Sequence, residues 1–357
     1  MNNLQVLGKF LDQPMLVAKF QKTVPAILTA GAAAYTLYDV SKAEKGKKKE
    51  RAIQTGITMG ATVAAALSAS HIASAITKRA LPDKLSAIKE KNKSLVDTFI
   101  KTTQIDEKAN KLLNKGKEKI FNFKEVKKLY NSVGASKNGK EFLEKLIPSP
   151  QNISAKDIFS EIGYLSIYGA VPVVGGIAGG ITADRVTDKK NWKKNIPDKI
   201  KEGSYQYLAN IFMCNVGAGA ALGILEKAGI QSKSARAIGM TAGIVATGII
   251  GGSKIANFIG DKVIDPIFNK KKKTEKKYPS DDITDIDFVG KNSFEYLQKY
   301  VQKAERKHER TPEVLDVGLH TDDIATVSLL SGLKWIEPAL PIMYTISGYR
   351  AGIGYRN

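Results

Sequence analysis

The chain has 357 residues and a formal charge of +20. Its mean hydropathy of −0.19 averages two populations, long stretches without Asp, Glu, Lys or Arg and segments dense in lysine. A single cysteine, Cys214, excludes an intrachain disulfide framework or a cysteine metal site, and the excess of lysine points to an anionic partner, lipid headgroups or nucleic acid.

In chain order, Met1 to Phe20 mixes apolar residues with Lys9, Asp12 and Lys19. It lacks the charged start, apolar run and small-residue cleavage site of a signal peptide, so insertion is expected to use the first hydrophobic helix itself. Thr23 to Tyr38 is a short uncharged span, extended by Val40, and the connector Ser41 to Arg51 then carries Lys42, Lys45, Lys47, Lys48, Lys49 and Arg51. Ala52 to Thr77 is uncharged throughout, as are Ile162 to Ala183 and Gly203 to Leu225. A bilayer core of roughly 30 Å needs about 20 helical residues, and these three runs reach that length. Ala237 to Ser253, continuing past Lys254 to Gly260, is borderline, like the first span.

Between these spans, Leu81 to Phe142 places Leu85, Ile88, Leu95 and Ile100 near helical spacing among lysines. Such a segment either coats an anionic membrane surface or folds as a soluble helical hairpin with a charged face. Further on, Tyr278 to Phe288 is acidic and reads as loop, and Asn292 to Arg310 reads as a helix with Phe294, Leu297, Tyr300 and Val301 on one side. Ile324 to Leu333 and Pro338 to Tyr349 are two apolar halves around Lys334-Trp335-Ile336-Glu337-Pro338. Proline removes a backbone donor, so this part predicts a broken span or re-entrant hairpin.

The expected fold is all-α: a polytopic helical membrane protein with Gly/Ala-rich transmembrane helices and a lysine-rich helical extramembrane region. Residues 1–78 form an N-terminal membrane helix pair and 79–160 the basic extramembrane region. A second membrane group of three helices covers 161–262, a basic and acidic linker with an amphipathic helix 263–320, and the broken apolar segment 321–357. Basic connectors favour the cytoplasmic side. Five alternating spans put Ser41–Arg51, Arg185–Gly203 and Lys270–Lys277 there together, with Lys78–Ser160 opposite. A second segment that does not span would bring Lys78–Ser160 to the basic side instead.

Small residues recur every four positions: Gly56 and Gly60, Gly175 and Gly179, Gly176 and Gly180, Gly219 and Gly223, Gly239 and Gly243, Gly248 and Gly252. Each pair shares a helix face and is expected to permit close helix packing. The pattern resembles membrane-inserting glycine-zipper segments in general, a resemblance that covers about a third of the chain and transfers no function. An internal repeat is also suggested. Arg51-Ala52-Ile53 matches Arg236-Ala237-Ile238, Ser70-His71-Ile72-Ala73 matches Ser253-Lys254-Ile255-Ala256, and Val24-Pro25 matches Val171-Pro172.

The candidate polar residues within or beside the apolar runs are His71, Lys254, Asn210, Asn215, Glu337 and Arg350. Ionisable groups in such runs face a partner, a cavity or the interface, and Glu337 and Arg350 either pair or sit at the two interfaces. No phosphate-binding loop, GxSxG or HExxH is present, and no catalytic, cofactor or metal residue is predicted. Sparse arginine and the lack of an aromatic-and-basic motif argue against nucleic acid. The leading expectation is a non-enzymatic structural or membrane-organising protein of the plasma or inner membrane. It would contact anionic headgroups and a second copy or another membrane protein. The alternatives are a transporter or channel at the interface between duplicated helix pairs, and a membrane-inserting pore-former.

Overall fold

The computed structural model describes residues 3–149, 155–230, 232–268, 321–330 and 333–354, which are helical and contain no strand. The acidic loop, the Asn292–Arg310 helix and the Lys270–Lys277 run lie outside them. In chain order the helices are α1 (Asn3–Leu11), α2 (Pro14–Lys42), α3 (Lys48–Thr77), α4 (Leu85–Thr102), α5 (Glu107–Gly116), α6 (Phe123–Ser132), α7 (Lys137–Leu146) and α8 (Ala155–Thr187). Next come α9 (Ile196–Tyr207) and α10 (Met213–Lys227), fused by a π-helical turn at Leu208–Phe212. The line α11 (Lys233–Ile244), α12 (Ser253–Ile259) and α13 (Asp265–Phe268) is joined by π turns, and α14 (Thr321–Leu330) and α15 (Leu340–Ile353) follow.

Three stretches are long and apolar enough to cross a membrane: Lys48–Thr77, Asp157–Thr187 and Trp192–Lys227. Glycine sets how closely they pack. On α8, Gly175 faces Ala65, and Gly179 faces Ala61 and Thr58, so α3 and α8 run antiparallel. The other face of α8 places Gly176 against the Gly348 carbonyl and Gly180 against that of Gly352, so α15 lies parallel to it, backbone on backbone. Gly217 and Gly243 make the corresponding contact between α10 and α11. Without Cβ atoms two helix backbones can approach until their carbonyls and Cα groups touch.

Among the described helices, α15 is the most enclosed. Leu340, Tyr344, Gly348, Tyr349, Arg350 and Ala351 are all buried, and α15 contacts α2, α3, α8 and α9. The two apolar halves seen in the sequence are thus α14 and α15, which meet at the turn through Ile336-Glu337-Pro338, with Pro341 in the first turn of α15 where its missing N–H is harmless.

The lysine-rich region folds on itself. Its apolar stripe enters a core of Val96, Phe99, Leu113, Val126, Leu129, Phe142 and Leu143, with the Phe99 and Phe142 rings stacked at 4.0 Å. Side chains define its helix starts: Asp106 accepts from the Ala109 amide, Asn122 and Glu125 form a capping box, and Ser136 accepts from the Gly139 amide. Leu95 and Ile100 of the stripe pack against this core, while Leu85 and Ile88 turn to Met15 and Ala18 of α2, so the stripe is consumed by packing and does not line an outer surface. This small helical domain also takes α1, in place of the membrane pair to which the sequence pattern assigns residues 1–78. Val6 is buried in its core and Phe10 packs against it, while Lys9 finds a carboxylate on α7.

Lys9 fixes that attachment, reaching Glu144 Oε1 at 2.6 Å and the Ile147 carbonyl at 3.0 Å. Burial raises the Glu144 carboxyl, but hydrogen bonds from Lys9 and Ser149 outweigh it and hold its pKa below the ordinary 4.5. A carboxylate with a depressed folded pKa stabilises the fold above its unfolded pKa and loses that contribution as pH falls through the folded value. Acid titration below pH 4.5 should therefore loosen α1 from α7, and Glu144→Gln should flatten that part of the stability profile, read by amide exchange of residues 3–11.

Candidate functional site

Three polar features interrupt the apolar bundle. The first lies where the small domain meets it. A cleft of about 970 Å³ opens between α2, the end of α3, the start of α8 and the Lys334–Pro341 turn, with α4 and the end of α7 as its roof. At its base Arg79 donates to Glu161 Oε1 at 2.8 Å and meets Glu337 Oε1 at 3.2 Å, while its guanidinium stacks 4.1 Å above the Tyr164 ring. Asp12 ties the turn to the start of α2 by accepting from the Lys334 and Trp335 amides, each at 3.1 Å. Burial pushes the Asp12 carboxyl up, against those two amides.

The second feature is a polar file inside the bundle. Glu202 is fully buried and pairs with Arg350 Nε at 3.6 Å. Gln206 donates to Glu202 Oε1 at 2.9 Å, and Asn210 donates to Gln206 Oε1 at 3.0 Å. One turn on, Asn215 accepts from the Thr326 hydroxyl at 2.8 Å. Steps of four residues become a step of five across the π turn at Leu208–Phe212. The wider i→i+5 turn keeps Asn215 buried on the inner side.

The third feature is a belt at the opposite end from the cleft. Asp39 holds Arg51 at 2.6 Å and accepts from Thr55, and Asp184 meets Lys199 at 3.3 Å while accepting from Asn195. Lys199 also donates to the Gly352 carbonyl at 2.6 Å, and Lys201 pairs with Asp265. A polar cavity of about 210 Å³ sits among these groups.

These features sort the predicted residues. His71 and Glu337 line the same cleft, and His71 is exposed. Asn210, Asn215 and Arg350 share the file, whereas Lys254 is exposed on α12 and joins none of the three. Glu337 and Arg350 do not pair. Glu337 stands in the turn just before α15 and Arg350 near its far end, and each takes a partner from elsewhere, Arg79 in the α3–α4 connector and Glu202 on α9. Among the glycines, Gly175, Gly176, Gly179, Gly180, Gly219, Gly239, Gly243, Gly248 and Gly252 meet neighbouring helices, but Gly56, Gly60 and Gly223 have nothing within 4 Å of where a Cβ would lie. Gly56 and Gly60 are exposed, and Gly223 is half-buried.

The matched segments of the suggested repeat do not share one arrangement of helix directions. From the packing order, α2 and α8 run the same way, but α3 runs opposite to α11 and α12, so no single rotation superposes the matched pairs. The sequence reading does not single out Glu202, Gln206, Arg79 or Glu161: the two glutamates only bound apolar runs, and Arg79 follows Lys78 beyond the end of one. The i, i+4 series Glu202, Gln206, Asn210 was the available signal. Among the described residues no group of three or more His, Cys, Asp and Glu side chains could hold a metal ion. No protein-family model matches the chain, nor does any curated protein or solved structure.

Proposed function

We propose that this chain is a polytopic membrane protein with a structural, membrane-organising role, its lysine-rich end set against anionic headgroups. The observation that carries the reading is the gathering of basic connectors. Arg51, Lys199 and Lys201 belong to the same belt at one end of the bundle, and Ser41–Arg51 and Arg185–Gly203 turn there. The segments between are Gly/Ala-rich and of bilayer length. Lysine near an anionic leaflet contributes about 1 kcal/mol per residue, and the arrangement fits the bias of cytoplasmic loops. No catalytic role is assigned to any residue.

A second reading, transport of a polar solute or ion, is favoured by the file from Arg350 to Asn215, since ionisable groups within spans commonly mark pathways. Solute flux in proteoliposomes that disappears on Glu202→Gln would favour transport over scaffolding.

The membrane reading predicts that the chain stays in the pellet after carbonate extraction. Lysines 42–49 and 189–194 should then label from one side of sealed vesicles, and lysines of the small domain from the other. Monodisperse protein in buffer without any amphiphile overturns it. Replacing Lys42, Lys45, Lys47, Lys48 and Lys49 with glutamine should give a mixed population of orientations in the same labelling assay.

A further inference from the structure

We infer that the cleft beneath the small domain is a laterally open site for one phospholipid carrying an ammonium headgroup, of the phosphatidylethanolamine class. The inference rests on the membrane reading above and adds a ligand to it.

The shape argues for an acyl chain. On α3 the lining reaches Leu67, ten residues inside the uncharged run that ends at Thr77, about 15 Å of helix at 1.5 Å per residue. That matches the depth of one leaflet, half of a bilayer core of about 30 Å. The wall along this length is mainly apolar, with Val17, Val24, Leu67 and Tyr168 beside the polar Gln21, Ser70 and His71. Pro25 and His71 line the cleft and yet are exposed, so it opens sideways between α2 and α3. In the proposed orientation that opening faces the bilayer. A pocket of about 970 Å³ lies at the upper end of the ligand-site range of roughly 300–1,000 Å³.

The charges argue for the headgroup. Two carboxylates, Glu161 and Glu337, share the single guanidinium of Arg79. Their side chains are only 17% and 14% exposed, and beyond Arg79 the cation acting on Glu337 is the exposed Lys334 at the rim, so the second negative charge is poorly served, and an enclosed charge requires a partner. An ammonium group supplies one, with hydrogen-bond donors for carboxylate oxygens. Around the roof and rim stand Lys91, Lys145 and Lys334, all exposed, and their ammonium groups suit a phosphate. A ligand with one cation, one phosphate and an acyl tail meets all three parts of the lining. A purely anionic lipid would meet the lysines but leave the carboxylate pair facing a negative headgroup.

The test uses full-length protein reconstituted in nanodiscs of equimolar phosphatidylethanolamine and phosphatidylglycerol, followed by native mass spectrometry after detergent release. One phosphatidylethanolamine per chain should be retained, at least tenfold over phosphatidylglycerol. Leu67→Trp, which fills the apolar wall, and the surface pair Lys91→Glu with Lys145→Glu should each reduce retention at least tenfold. The lysine pair lies at exposed positions and leaves the bundle core intact, so it remains informative if Leu67→Trp does not fold. Retention of no lipid, of both lipids equally, or unchanged retention in the lysine pair overturns the inference. A chain that fails to enter nanodiscs at all overturns the membrane reading instead.

Discussion

Gly176→Val and Gly348→Val are expected to detach α15 from α8 and to lower stability by about 3 kcal/mol or more, the upper part of the range for overpacked cores. A Cβ on Gly176 would overlap the Gly348 carbonyl oxygen, and one on Gly348 would overlap the Pro172 carbonyl oxygen. Backbone atoms cannot rotate away as a side chain can, so relief requires the helices to move apart. That movement would also disturb Tyr344 and Tyr349, which are buried around α15. Thermal unfolding in detergent, followed by circular dichroism, gives the comparison. Gly56→Ala and Gly60→Ala are the controls, since no atom lies within 4 Å of either new Cβ. They should be neutral or stabilising by up to about 1 kcal/mol each through helix propensity. Equal destabilisation by both sets would contradict the packing.

Glu202→Ala should cost about 3–5 kcal/mol, the typical penalty for stranding one partner of a buried ion pair. Arg350 would keep its charge, since guanidinium does not lose its proton in proteins, and its side chain is only 3% exposed. Glu202→Gln should cost less, because a carboxamide oxygen can still accept from Gln206. The double replacement Glu202→Leu with Arg350→Met should recover most of the loss, since removing both charges also removes their desolvation. Asn210→Leu deletes one neutral link and should cost roughly 0.6 kcal/mol, the average for interhelical hydrogen bonds in a membrane bundle. Urea or SDS unfolding of the four variants separates these outcomes. If the single and double variants were equally unstable, the loss would come from packing volume and not from charge.

The sequence carried the helical class because its apolar runs are long, uncharged and free of strand alternation. It also carried the position of the lysine-rich segment between two helix groups, and the break at Glu337-Pro338, where proline chemistry leaves few alternatives. The fate of the Leu85–Ile100 stripe was not legible. The same periodicity serves a surface-coating helix and a packed domain, and only the contacts of Phe99 with Phe142 on α7, and of Val6 with the same core, distinguish the two.

By itself, the sequence determined which segments avoid water and which carry charge, since transfer energy and helical periodicity are properties of local composition. Only tertiary structure decided partners. Identical GxxxG spacing serves Gly176–Gly180 at a backbone contact and Gly56–Gly60 on an open face. Glu337 and Arg350, neighbours in sequence terms, ended just before α15 and near its far end, with Arg79 and Glu202. A charge in a low-dielectric bundle settles against whichever counter-charge the packing brings within reach, and that choice depends on residues more than a hundred positions away.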